Sequence, residues 1–200
     1  MIDEIGKAIL DGKTKTLEKA KEAKTSEGTI ADLLVAKIAK IGEKLSLRRI
    51  TYMEKNDNEN FGSYIHMGGK IAVLVKLEGA NSEVAKDVAM QSAAMKPLFI
   101  FPEDVPDDVL DNEKNILKEQ VINEGKPENI AEKIVEGKIK KYYQENCLNE
   151  QMFVKDSDMA IKDYVGKNNG KIISMVRYEV GEGMEHRNDN FAEEVMNQIK

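Results

Sequence analysis

Residues 63–79 read SYIHMGGKIAVLVKLEG, and this stretch decides the fold. Tyr64 to His66 form a short extended run, and Gly68-Gly69 reverse the chain. Ile71, Val73, Val75 and Leu77 then alternate onto one face of a second strand. Ala72 and Leu74 make its other face apolar too, which predicts a central place in a sheet. A histidine, His66, stands where the first run ends. A chain otherwise rich in lysine and glutamate thus places its clearest hairpin here, and the histidine asks for a reason.

Downstream of the hairpin, Asn81 or Ser82 caps a helix that runs to Met95 with Val84, Val88 and Ala89 inward. Its small residues, AMQSAAM, let it lie close against a sheet, and Pro97 closes it. LFIF (98–101) reads as a short buried strand or extended segment, with Pro102 and Pro106 bracketing a turn. From Asp107 to Tyr143 the pattern changes. Leu110, Leu117 and Val121 mark one long helix ended by Gly125, and Pro127 suits the first turn of the next. Ala131, Ile134, Val135, Ile139 and Tyr142 mark that second helix. Together they predict a charged antiparallel helical hairpin with a narrow apolar seam that protrudes from the body. QMFVKD (151–156) is extended, Ser157 caps a helix through Tyr164 and Val165 that Gly166 stops, and KIISMVRYEV (171–180) is a full strand. Phe191, Val195 and Ile199 mark a last short amphipathic helix.

Upstream, Ile2, Ile5 and Ile9 repeat at helical spacing up to Gly12. Lys13 to Gly28 is polar and reads as an exposed linker or weak helix. Thr29 with Asp32 is a capping-box pattern, followed by Ile30, Leu33, Leu34, Ile38 and Ile41 on one helical face and Gly42 as its stop. Leu45 to Met53 has strand character with a bulge at Arg48-Arg49. Strands before and after a helical insert predict an α+β fold: antiparallel sheets covered by helices, with an inserted antiparallel helical hairpin.

Composition narrows the function. The 200 residues are 41% hydrophobic and 33% charged, with a net charge of −6, which suits a globular chain with a charged surface. No basic stripe exists for a phosphate backbone, which argues against a direct nucleic-acid partner. The longest apolar run, Ile71 to Val75, is too short to cross a membrane, and the acid-bearing N-terminus is not a secretory signal. Cys147 is the only cysteine; it allows no internal disulfide, points to a cytoplasmic setting, and reads as packed. With His66 and His186 it gives no metal-ligand spacing. There is no glycine-rich phosphate loop, no G-x-S-x-G, no H-E-x-x-H, and no pair of acids placed for general acid–base work. These residues predict no catalytic group, no metal and no cofactor.

Several motifs in order carry a resemblance: SYIHMGGKIAVLVKLEG, DVAMQSAAMKP, IAEKIVEGKIKKYYQENCLNEQMFVKD and VRYEVGEGME, with AKIGEKLSLRRI before them. The chain from about Ile30 onward resembles bacterial elongation factor Ts, the nucleotide exchange factor for elongation factor Tu. S-Y-x-H-x-G-G and Q-x-F-V-K-D are the distinctive segments. The resemblance implies two related α+β subdomains. The first is partial, residues 1–59, and the second comprises 60–98 with 148–185. The helical hairpin inserts at 99–147, and a C-terminal module follows at 186–200. The family's small N-terminal helical domain has no counterpart in these residues. Nor has its hairpin ending in Thr-Asp-Phe-Val, whose Asp-Phe pair wedges near the magnesium and nucleotide site. Grip without that wedge implies weakened exchange.

By motif, the resemblance places His66, Val154 and Lys155 on the surface that meets elongation factor Tu, with Ile41 near the partner's nucleotide domain. The residues themselves leave alternatives open: His66 as a cap on turn backbone, Ile41 as the last core position of its helix, and Phe153 as core. The helical hairpin reads as an arm for a homodimer or another partner, or as a solvated protrusion. A self-associating module without exchange activity is the rival to an exchange factor.

Overall fold

The computed structural model describes residues 1–183. The helix expected on Phe191, Val195 and Ile199, and with it the 186–200 module, lies outside the described residues. The chain divides into two compact units, Met1–Asn56 and one beginning at Asp57.

In the first unit, α1 (Ile2–Asp11) buries Ile5 and Ala8. The stretch expected as linker instead holds α2 (Leu17–Glu22), capped by the Thr16 hydroxyl, and a two-residue ladder of β1 (Lys24–Thr25) and β2 (Gly28–Thr29). Ala20, fully buried, is the apolar point that fastens this polar stretch down. α3 (Ile30–Ile41) starts with the expected capping box: Thr29 Oγ1 accepts from the Asp32 amide, and Asp32 Oδ2 accepts from the Thr29 amide at 2.8 Å. Gly42, at φ +79°, ends it in the left-handed region. Ile5, Ala8, Ile30 and Leu33 form the core. The strand expected at Leu45–Met53 is absent. Strand propensity is a weak local preference that tertiary context overrides, and among the described residues 45–53 form no strand.

The second unit is built on β3 (Glu59–His66), β4 (Ile71–Glu78), α4 (Ser82–Met95), α5 (Asp107–Asn123), α6 (Glu128–Asn146), β5 (Met152–Phe153), β6 (Asp156–Ala160), α7 (Ile161–Lys167) and β7 (Lys171–Glu179). β3, β4 and β7 make an antiparallel sheet in that order, so β4 is central, flanked by the segments before and after the helical insert. β3 begins five residues earlier than its apolar run suggests. The burial of β4 is one-sided, however: Ile71, Val73, Val75 and Leu77 are buried, whereas Ala72 is exposed and Leu74 only half-buried. The reversal is made by Met67, Gly68 and Gly69, all at positive φ.

The inward face of the sheet packs on α4, which Asn81 caps by accepting from the amides of Glu83 and Val84 at 3.0 Å. Val84, Ala85, Val88, Ala89 and Ala93 join the β4 side chains, Leu148, Phe153, Ile161, Val165 and Ile172 in one core. Contact is closest at Gly62, where a Cβ would collide with the backbone of Ala85 and Lys86. α5 and α6 form the expected hairpin, with Val121 and Ala131 fully buried in its seam. Its root is zipped shut: Phe99 pairs with Cys147, and the Leu148 amide donates to Phe99 O at 3.0 Å. The 98–101 segment, expected as a buried strand or extended, is bent on both sides of that single bridge and is not buried: Leu98 is exposed and residues 99–101 are half-buried. Ser157 lies in β6 and caps nothing; α7 starts at Ile161, whose amide donates to Gln151 O at 2.9 Å. Folding 152–160 back on itself buries Phe153, which a helix from Ser157 would not do. α7 includes Gly166, and Asn169 at φ +55° turns the chain into β7. Among the described residues no helix is long and apolar enough to cross a membrane.

Substituting Gly62→Ala forces α4 away from β3. Overpacking of this kind costs about 3 kcal/mol, so urea unfolding of the variant should show a lowered midpoint with an unchanged slope.

Candidate partner-binding surface

His66 occupies the last position of β3, opposite Ile71. Side chains alternate along a strand, so His66 shares its face with Tyr64 and Gly62, the side on which α4 lies. Its ring stacks on Tyr64, with centroids 5.8 Å apart and planes inclined by 24°, and Tyr64 Oη lies 3.5 Å from Nδ1. Tyr64 is packed against the core, so a fixed phenol supports an exposed imidazole. The side chain makes no capping bond to the turn, which removes the reading of His66 as a backbone cap.

Val154 and Lys155 form the tip of the β5–β6 ladder. Phe153 is 4% exposed and stacks on Tyr164 with centroids 4.3 Å apart. Val154, the next residue, is 47% exposed. The chain turns directly after β5, and the same hairpin that sinks the phenylalanine lifts the valine. The Val154 amide donates to Gln91 Oε1 at 2.9 Å, and Lys155 Nζ meets Asp87 Oδ1 at 2.6 Å. α4 therefore carries the tip along its middle, while its end, through the Lys96–Glu179 pair at 2.9 Å, is tied to the strand end that faces Ile71 and the His66 turn. His66, Val154 and Lys155 thus all belong to the unit that begins at Asp57. Ile41 belongs to the other unit. At 55% exposed it is not a core residue of α3.

The family of this chain follows from its relatives. The sequence profile of the family described as Elongation factor TS matches residues 1–182. Elongation factor Ts from Limosilactobacillus fermentum (strain NBRC 3956 / LMG 18251) is 49% identical over 199 residues. So are those of Limosilactobacillus reuteri strain DSM 20016 and of its subspecies reuteri, strain JCM 1112. Each alignment covers all of this chain and 68% of the relative's length. The chain belongs to the elongation factor Ts family. The match begins at residue 1, ahead of the Ile30 where the motif resemblance starts, and so takes in α1 and α2 of this family member.

Motif reading missed the residues beneath the tip. Gln91 and Gln151 are both fully buried. Gln91 Nε2 donates to Gln151 Oε1 at 3.2 Å and to Met152 O at 3.0 Å, while Gln151 Nε2 reaches Glu145 O at 3.0 Å. The signal was present, because Val84, Val88 and Gln91 are spaced four and three apart and so share the inward face of α4. Asp87 is missed for the same reason as Tyr164, whose Oη donates to Asp87 Oδ2 at 2.7 Å: their meeting spans 77 residues. Cys147 is packed as expected, and burial pushes its thiol up to about 11, which leaves no nucleophilic thiolate at neutral pH. Among the described residues no three histidine, cysteine, aspartate or glutamate side chains converge as metal ligands.

Burial first, and then the bond to the Asp87 carboxylate, push the Tyr164 phenol up to about 12 from an ordinary 10. A pKa raised on folding means that the neutral phenol stabilises the fold below pH 10, a contribution lost as the pH rises through 12. Absorbance titration of the phenolates should show a late step that disappears in the Tyr164→Phe variant.

Proposed function

We propose that this chain binds elongation factor Tu and promotes release of its GDP in protein synthesis, through differential binding and without covalent chemistry. The observation that carries the reading is Val154. A hydrogen-bonded hairpin beside a buried phenylalanine holds an aliphatic side chain out to solvent, as an interface anchor requires. We assign His66, which is exposed and stacked on Tyr64, together with Lys155 and Ile41, as further partner-facing positions.

A factor of this kind binds the nucleotide-free or distorted partner more tightly than the GDP-bound one. Linkage then requires GDP to lose affinity for the bound partner by the same ratio. The Thr-Asp-Phe-Val signature does not occur in these 200 residues, so the acceleration they deliver is the part due to grip. On this reading 1–59 is a partial first subdomain, 60–98 with 148–185 the second, and 99–147 the inserted arm, in a cytoplasmic protein.

A second reading rests on the arm. Ile116, Ile122 and Ile130 are exposed along α5 and α6, a pattern that would suit a second copy of the chain. Sedimentation showing a dimer, together with no affinity for elongation factor Tu, would favour a self-associating module over an exchange factor.

Stopped-flow release of fluorescent GDP from elongation factor Tu tests the principal reading: the chain should accelerate release in proportion to its concentration. His66→Ala should weaken the effect, since truncating an interface anchor costs about 2 kcal/mol, while the melting temperature holds. A sharply lowered melting temperature with undiminished binding per folded molecule would return His66 to a structural role.

A further inference from the structure

The β5–β6 tip is held from beneath by two residues of α4, one turn apart. Gln91 accepts from the Val154 amide at 2.9 Å and donates to the Met152 carbonyl at 3.0 Å. Those two backbone groups flank Phe153 and point to the same side of the strand, so the glutamine amide takes the place of a neighbouring strand. It does this with one donor and one acceptor, which a carboxylate or an apolar side chain cannot supply together. Gln91 is fixed in turn by Gln151 at 3.2 Å. Four residues earlier, on the same helix face, Asp87 accepts from Lys155 Nζ at 2.6 Å through one oxygen and from Tyr164 Oη at 2.7 Å through the other. The carboxylate is largely buried, and both of its oxygens are engaged.

We infer that Asp87 and Gln91 form a clamp that fixes the Val154–Lys155 tip, with Lys155 a positioning residue held by Asp87 and Val154 the side chain presented to the partner. This rests on the proposed binding to elongation factor Tu and revises it at one position. The ammonium of Lys155 already faces a carboxylate within its own fold, so its charge serves to hold the loop. A two-residue strand has little rigidity of its own, and an apolar anchor on a loose tip would lose affinity to the entropy of ordering it.

The test is calorimetric titration of nucleotide-free elongation factor Tu with the full chain and with Asp87→Asn, Lys155→Met and the double variant. Asn keeps an acceptor for Tyr164, so Asp87→Asn retains the fold, which circular dichroism verifies. Each single variant should weaken binding by about fivefold, the scale of one part-exposed ion pair. The double variant should lose no more than the weaker-binding single one, because both remove the same pair. Amide hydrogen exchange at Val154 should quicken in the free variants, a change that a lysine acting only at the interface would not cause. If the unaltered chain binds and Asp87→Asn binds as well or better, or if the two losses multiply, the clamp is refuted and Lys155 is a direct contact. If the unaltered chain does not bind at all, the underlying reading falls together with it.

Discussion

The backbone of α4 lies directly on β3 at Gly62, and the position of the helix over the sheet follows from that contact. A side chain at residue 62 would collide with Ala85. On the helix, Ala85, Ala89 and Ala93 keep the facing surface shallow enough for the approach. Close packing leaves no volume to absorb an extra methyl group. Once the helix is seated, its second and third turns reach past the sheet toward 151–164, and Asp87 and Gln91 come to stand under the β5–β6 tip.

Burial of two glutamines then becomes a constraint in its own right. An amide withdrawn from water without partners costs on the order of 1–3 kcal/mol, so Gln91 and Gln151 hold the chain to the geometry that satisfies them. Gln91 bonds to the tip, and Gln151 bonds to Glu145 O at the end of α6. One buried pair therefore joins the helix on the sheet, the root of the helical arm and the loop that carries Val154. The exposed valine is a consequence of an ordered interior.

Much of this was legible in the sequence because its signals are local. The alternation of Ile71 to Leu77, the Thr29–Asp32 capping box, the Asn81 cap and the long seams of α5 and α6 each depend on neighbours within a turn or a strand. What escaped depends on distant partners. Leu45–Met53 has strand composition, yet it forms no strand, because tertiary context overrides so weak a preference. Ser157 looks like a cap, yet the burial of Phe153 beside Tyr164 draws it into β6. For the candidate surface, motifs pointed to His66, Val154 and Lys155 as partner-facing; no motif showed that Lys155 faces Asp87, 68 residues away. Ile41, read from its helix alone, suggested core, and its exposure shows that the inward stripe of α3 fades before the last turn.

On the proposed reading, exchange without covalent chemistry rests on a difference between two binding equilibria. The candidate surface holds an imidazole stacked on Tyr64 and an exposed valine whose amide is bonded to Gln91. Titration of elongation factor Tu with the chain, once stripped of nucleotide and once saturated with GDP, measures that difference directly. The account predicts markedly tighter binding to the stripped form, and equal affinity for the two forms would contradict it.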